Sequence, residues 1–418
     1  MKITGWLILL FFLWIPGTLH ARTLSVEECI DKALRTHPDI RRFMLQVSYS
    51  KQGVAAARAD YLPQLSVNGE YDPTRTYVLP ANGIFNTQDS DGWQVGISVQ
   101  QKLWDFSRTS ALIQAQEAQL ASADMSLTDA RALLAYKVKL QYELALVQRR
   151  ATEVRKKDLE VKKALYEQAL ALADQGLKTH ADATRFSSSA SIARDNLAIA
   201  HANFVKALST LSLYIGEPVP ADIDLEENSM AVAGAAPDEE EVLERSPVLK
   251  GLREKIHQKE LLHKAAKADR YGSLDAVASY ARQDTLNEYD STLVGVMLNI
   301  PLYTGGRLTA REEQAVIDRK SAESEYASKE LALREEIRNL LTDLKRYGQT
   351  IRAKSMQLKS ATETRKVIDG RYKEGLATYI EVLDATALQL NARLGLLQAT
   401  YDRSRTMHRL EYLQGKSK

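Results

Sequence analysis

A single cysteine, Cys29, stands among the 418 residues, so no disulfide can form within the chain. It follows Val26-Glu27-Glu28, unlike the small apolar context of a lipid-attachment cysteine, and reads as a small apolar residue on a short helix. Excess charge of one sign is lacking too. Lys and Arg number 56 against 54 Asp and Glu, leaving +2, so no nucleic-acid surface is expected, and runs such as Arg155-Lys156-Lys157 read as solvated helix faces. Signals of catalysis are absent. His37, His180, His201, His257, His263 and His408 show no metal-ligand spacing, and the chain has no phosphate-cradling glycine loop and no G-x-S-x-G elbow. No metal site, cofactor or enzymatic activity is therefore expected. Long hydrophobic runs are missing beyond the first residues: no stretch of ~18 apolar residues follows. If the mature chain crosses a membrane, it must do so as strands of a closed barrel.

Residues 1–21 read as a signal peptide, with Lys2 as its positive start, Trp6 to Ile15 as a short apolar core and Ala21 before the cleavage point. The apolar run is shorter than the ~20 residues of a transmembrane helix.

Proline and glycine are scarce where it matters most. Residues 107 to about 172 contain neither, which predicts one very long helix. Leu133, Leu140, Leu144, Val147, Ala151, Val154, Val161 and Leu165 recur at spacings of seven, four and three, a heptad stripe that needs neighbouring helices along its length. A second such helix is predicted from Arg307, with Leu333, Ile337, Leu340, Leu344, Tyr347 and Ile351 alternating four and three apart. Both lead into the same kind of turn. Gly375 supplies a left-handed residue past a helix end, and Thr378 with Glu381 has the spacing of a capping box. Gly176, Thr179 and Asp182 repeat the signal, and each glycine and threonine precedes its counterpart by 199 residues. Returning helices are predicted over 182–214 and 381–414. The chain thus reads as a duplication: a first repeat over 22–215, a Pro- and acid-rich connector over 216–239, and a second repeat over 240–418.

Before each long helix the apolar period changes to two. Leu65 to Tyr71 and Trp93 to Gln100 alternate, separated by a Pro-, Asn-, Asp- and Gly-rich loop over 72–92. Leu274 to Arg282 and Thr292 to Leu302 form the second pair, the former alternating poorly, around a loop over 283–290. Short helices over 24–34 and 40–60 precede the first pair, and 265–269 echoes 56–60. Each repeat is then helix, strand, loop, strand, very long helix, turn, helix: mostly α with a small β part. Alternation alone suits a soluble sheet as well as a lipid-facing barrel.

Several stretches resemble the TolC-like outer-membrane efflux proteins: the strand-to-helix junction Pro301-Leu302-Tyr303-Thr304-Gly305-Gly306-Arg307, its weaker copy Leu103 to Arg108, the hairpin Arg371 to Thr386 and the opening Leu24 to Ile30. The resemblance covers nearly all of the mature chain. It implies a homotrimer in which each protomer gives four strands to a shared twelve-stranded transmembrane β-barrel, continuous with an α-helical barrel through the periplasm. It further implies a passive exit duct in the outer-membrane lipid. A periplasmic adaptor (membrane fusion) protein would connect that duct to an inner-membrane RND or ABC pump, for efflux or type I secretion. The other reading is a periplasmic or surface coiled-coil protein without a pore, whose strands form a soluble cap.

On this resemblance Asp384, Glu381 and Asp182 line a constricting acidic ring at the turns. For Glu381 and Asp182, capping explains the carboxylate equally well. Tyr372 matches a tyrosine that holds the turn helices closed, whereas Ala377 stands where a basic partner is expected, with Arg371 or Lys373 as substitutes. Trp93, Trp104, Tyr303, Tyr71 and Tyr280 fall near strand ends, either as an interfacial girdle or as packing at the strand-to-helix bend.

Overall fold

A computed structural model describes residues 23–78, 83, 86–227, 236–284 and 288–417; the leader read in 1–21 lies outside them. The elements in chain order are β1 (Thr23–Leu24), α1 (Val26–Thr36), α2 (Pro38–Ala59), β2 (Gln64–Val78), β3 (Asn86–Trp104), α3 (Arg108–Asp174) and α4 (His180–Ile215). They continue as β4 (Asp224–Leu225), α5 (Glu239–Arg245), α6 (Pro247–Ala268), β5 (Ser273–Asp284), β6 (Glu288–Asn299), α7 (Arg307–Lys373) and α8 (Tyr379–Leu413). α2 and α6 have 22 residues each, and α3 and α7 have 67 each. Corresponding ends of α2 and α6 are 209 residues apart and those of α3 and α7 are 199 apart, so the β2–β3 segment is ten residues longer than its copy.

Those ten residues correct the expected loop over 72–92. β2 runs on to Val78 and β3 starts at Asn86, with Asp72 paired to Gly92 and Val78 to Asn86. The shorter expected loop over 283–290 likewise contracts, with Asp284 still paired to Glu288. Asp, Asn, Gly and Pro favour turns locally, but pairing fixed by the apolar register below carries a polar ribbon onward.

Two compact units share the chain, and each draws on both halves. One joins the segment through Ala33 with Val138 into the connector and Ile351–Tyr401; the other joins Leu34–Lys137, the connector to Thr350, and the chain from Asp402. In the first unit, β1 pairs in parallel with β4, which shifts α1 two residues beyond its expected start. Tyr142 of α3 donates from its buried hydroxyl to the carbonyls of Leu24 (2.6 Å) and Glu226 (3.1 Å), and Arg149 and Arg150 hold Asp224 and Glu227. Cys29 is fully buried in α1, and burial pushes its thiol up to about 12, so it is an inert packing residue as expected.

α3 does not bury the heptad stripe read from the sequence along its whole length. Ala132, Ala135, Val138, Tyr142 and Ala145 are fully enclosed, while Leu133, Leu140 and Leu144 are half-buried. Small alanines let backbones approach closely, so the contact seam of a single chain follows them rather than the leucines. On α7, Leu333 and Ile337 pack with Val242, Leu243, Leu249, Leu410 and Leu413 in the second unit.

That unit contains the antiparallel sheet β2-β3-β5-β6. Its register decides what the alternation could not. Leu65 faces Val99, Val99 faces Ala278, and Ala278 faces Val294; Val67, Ile97 and Tyr280 form the next row. All four apolar sets therefore share one face. The other carries Ser66, Ser98 and Ser279 in one row, with the first two hydroxyls 2.8 Å apart, although Leu293 and Met297 also lie on this side. The apolar face is uncovered, Val294 being 82% and Val67 72% exposed. Each such side chain forgoes ~1.5–3 kcal/mol of burial if it faces water, so lipid is the solvent that fits.

Candidate functional site

The two helix turns lie in the first unit and are built alike. Gly176 (φ 76°) and Gly375 (φ 78°) take the left-handed conformation. Leu177 N–H donates to the Leu172 carbonyl and Gly176 N–H to that of Ala173; Leu376 to Arg371 and Gly375 to Tyr372 repeat the pattern. This paired arrangement satisfies the last carbonyls of α3 and α7. A side chain at either glycine would pay the strain of a left-handed residue.

Each following helix opens with a reciprocal cap. Thr179 Oγ1 accepts from Asp182 N–H (3.3 Å), and Asp182 Oδ2 accepts from Thr179 N–H (3.5 Å). In the second turn Glu381 Oε2 accepts from both the N–H (2.6 Å) and the hydroxyl (2.9 Å) of Thr378, whose Oγ1 accepts from Glu381 N–H. The Thr378 N–H, then its hydroxyl, hold the Glu381 carboxyl below the usual range. A depressed acid stabilises the fold above its unfolded value and loses that contribution as pH falls through the folded one. Acidification below the ordinary glutamate value of 4.5 should therefore loosen this turn. Amide exchange of residues near 376–382 should speed up between pH 6 and pH 3 relative to Glu381→Gln, and a parallel response of both proteins would remove the cap as its cause.

Asp384 lies one turn on, exposed and outside the box, beside buried Ala385 and Thr386. Tyr372 and Ala377 are buried with Leu165, Ala169, Ala183, Phe186 and Val382. Phe186 meets the Tyr372 ring edge-on at 5.8 Å and that of Tyr379 at 6.3 Å. Burial, then the Asp182 carboxylate, raise the Tyr372 hydroxyl above its ordinary value, and that buried hydroxyl has no hydrogen-bond partner among the described residues.

Ala377 carries no basic group, and a lysine from the other turn stands beside it. Lys178 donates from Nζ to the Ala377 carbonyl (3.3 Å) and stands 5.4 Å from the Tyr372 ring centroid. Arg371 instead bonds the Leu376 carbonyl (3.2 Å), inside its own turn. The signal for Lys178 was available: it precedes Ala377 by 199 residues, the interval that relates the two turns. Leu177 and Leu376, related in the same way, are 65% and 64% exposed on the turns.

Further along the same unit, Asp158 is buried and pairs with Lys162 at 3.1 Å. It lines a cavity of about 40 Å³ with Arg365, Thr386 and Gln389. This polar group was not singled out from the sequence, where Asp158 reads as one more helix-surface charge.

The strand-to-helix junctions lie in the second unit. Gly305 (φ 61°) and Gly306 (φ 83°) turn the chain into α7, and Phe106 (φ 53°) and Ser107 (φ 70°), 199 residues earlier, do so into α3. In that copy Asp105 Oδ2 accepts from Thr109 N–H at 2.7 Å. Leu302 and Tyr303 are 94% and 90% exposed, and Arg307 opens α7.

The model of the family described as "Outer membrane efflux protein" matches residues 29–217 and 240–416. The chain belongs to the outer membrane efflux protein family. The gap between the two matched stretches falls in the connector. Outer membrane efflux protein BepC of Brucella suis is 24% identical over 401 residues, covering 93% of this chain and 85% of BepC. Alkaline protease secretion protein AprF of Pseudomonas aeruginosa is 22% identical over 429 residues, covering 99% and 89%. The outer membrane protein VceC of Vibrio cholerae has the same fold, with TM-score 0.82 at 18% identity over 93% of this chain and 96% of VceC.

Membership makes this efflux protein an outer-membrane channel reaching into the periplasm, a conduit and not an enzyme. Among the described residues no helix is long and apolar enough to cross a membrane.

Proposed function

We propose that this protein is the exit duct of a tripartite efflux or type I secretion system. Three copies close one twelve-stranded barrel, and their long helices form a periplasmic tunnel gated at the helix turns. The observation that carries this reading is the four-stranded sheet with one uncovered apolar face and outer strands, β2 and β6, that have a neighbour on one side only among the described residues. Open edges are not tolerated in lipid, and four strands cannot close on themselves. A soluble cap, the other reading, would leave that face in water.

At the turns, Tyr372 with Lys178 and Phe186 holds the hairpins together. Asp384 faces the passage, and Asp182 and Glu381 add negative charge while capping their helices. Exposed Leu177 and Leu376 form the knob on which a periplasmic adaptor docks, linking the duct to an RND or ABC pump. Residues 1–21 act as the export leader, and 22–215 and 240–418 are duplicated halves joined by 216–239.

Planar-bilayer recording on the purified trimer tests this directly, and absence of any pore sinks it. Asp384→Asn should weaken block by multivalent cations, because a ring of three carboxylates attracts them at the constriction. Unchanged block would take Asp384 out of the passage.

A further inference from the structure

The cavity beside Asp158 lies where three helix seams of the first unit turn polar together. On α3 the apolar stripe runs through Val147, Ala151 and Val154 to Val161 and Leu165, and its four–three rhythm places Asp158 in the gap. Continued from Ile351, the rhythm of α7 reaches Arg365 and, seven residues on, the buried Tyr372. On α8 Val382 is followed at four, three and four residues by Thr386, Gln389 and Arg393. Asp158, Arg365 and these three residues of α8 line a single cavity of about 40 Å³, with exposed Lys157. A polar residue at a core position of a helix seam costs stability and selects among registers. Only 3% of the Asp158 side chain is exposed, and the helices that bury it belong to its own chain, so a further copy can only deepen that burial.

Opposite charges share this space without pairing across it. Asp158 pairs with Lys162 (3.1 Å) and Arg365 with Asp369 (3.3 Å), each with a residue four further along its own helix. Arg365 Nη1 donates to Gln389 Oε1 at 2.7 Å, and Gln389 Nε2 donates to Thr362 Oγ1 at 3.0 Å, so Arg365 is tied into the α7–α8 hairpin. A charge buried as deeply as Asp158 must keep a partner. It has two cations to choose from, Lys162 on its own helix and Arg365 across the cavity. Lys162 and Asp369 are 15% and 30% exposed, so either meets water if its partner leaves. Val161 borders the cavity and also packs against the cluster of Leu165, Phe186 and Tyr372, which couples the layer to the turns.

We propose that this polar layer is the joint on which the α7–α8 hairpin moves against α3, and that Asp158 exchanges Lys162 for Arg365 as the turns part. An apolar seam has one register into which its side chains fit, whereas a carboxylate between two cations has two arrangements of similar energy. The exchange keeps the buried carboxylate paired and leaves the released charges, Lys162 and Asp369, to solvent. The joint rests on the turns acting as a gate, and one readout of its test needs no pore.

Lys162→Gln leaves Asp158 only the arginine of the hairpin, and Arg365→Gln leaves it only the lysine. In the full mature protein the open fraction in planar bilayers should rise on the order of tenfold in the first variant and fall on the order of tenfold in the second. Amide exchange over residues 376–393, read on detergent-solubilised protein, should speed up in the first and slow down in the second. In an Asp158→Asn background this opposition should vanish. Circular dichroism selects folded protein for each variant. A pair that merely holds the helices together would loosen in both variants. Exchange that is unchanged, that moves in one direction in both, or whose opposition survives Asp158→Asn overturns the joint. Opposed exchange with no conductance in any of the proteins sinks the duct reading and leaves the joint standing.

Discussion

Tyr372→Ala should cost the paired turns about 3–5 kcal/mol and leave the channel conducting at rest. The ring is 1% exposed, edge-on to Phe186 and beneath the Lys178 ammonium, so truncation removes packing that both hairpins share. Lys178 loses its aromatic face and keeps only the Ala377 carbonyl. Two measurements check the outcome: single-channel conductance at low voltage, and trypsin cleavage at Lys178, Arg371 and Lys373. Both should rise together. Tyr372→Phe separates packing from hydrogen bonding. It keeps the ring and removes a hydroxyl that has no partner among the described residues. Its stability should stay within about 1 kcal/mol of the parent. A closed, protease-resistant Tyr372→Ala channel would show that the turns are held by something else.

Val99→Arg should cost about 2–4 kcal/mol and block insertion, whereas Ser98→Arg, one residue away, should insert normally. Val99 stands in the row Leu65, Val99, Ala278 and Val294 on the apolar face, and Ser98 in the row Ser66, Ser98 and Ser279 on the other. Successive strand residues point to opposite sides, so the pair compares the apolar with the polar face at one level of the sheet. Urea-dependent release from vesicles reads the cost, and conductance should change only for Ser98→Arg among the inserted proteins. Equal behaviour of the two variants would remove the assignment of faces.

Much of this was written into local sequence. Want of Pro and Gly over 107–172 gave α3 to within a few residues, and Gly176 and Gly375 marked its turn and that of α7. Thr378 and Glu381 announced their cap three residues apart. What escaped notice depends on partners distant in sequence. β1 and β4 are two residues each and pair across 201 positions (Thr23 with Asp224), too short to show a period. Lys178 reaches Ala377 and Tyr372 only because the two hairpins come together.

The sequence by itself determined the long helices, the turns and the presence of four strands. These follow from backbone preferences and from periods that any window of residues displays. It left open which solvent the strands face, since period two is common to soluble and lipid-facing sheets. Tertiary structure added that four separate apolar sets align on one uncovered face, a consequence of register between strands distant in sequence, such as Trp93 of β3 with Asp284 of β5. It also decided which carboxylates are tied into caps and which, like Asp384, stand exposed beyond them, because a hydrogen bond needs a position in space as well as a spacing along the chain.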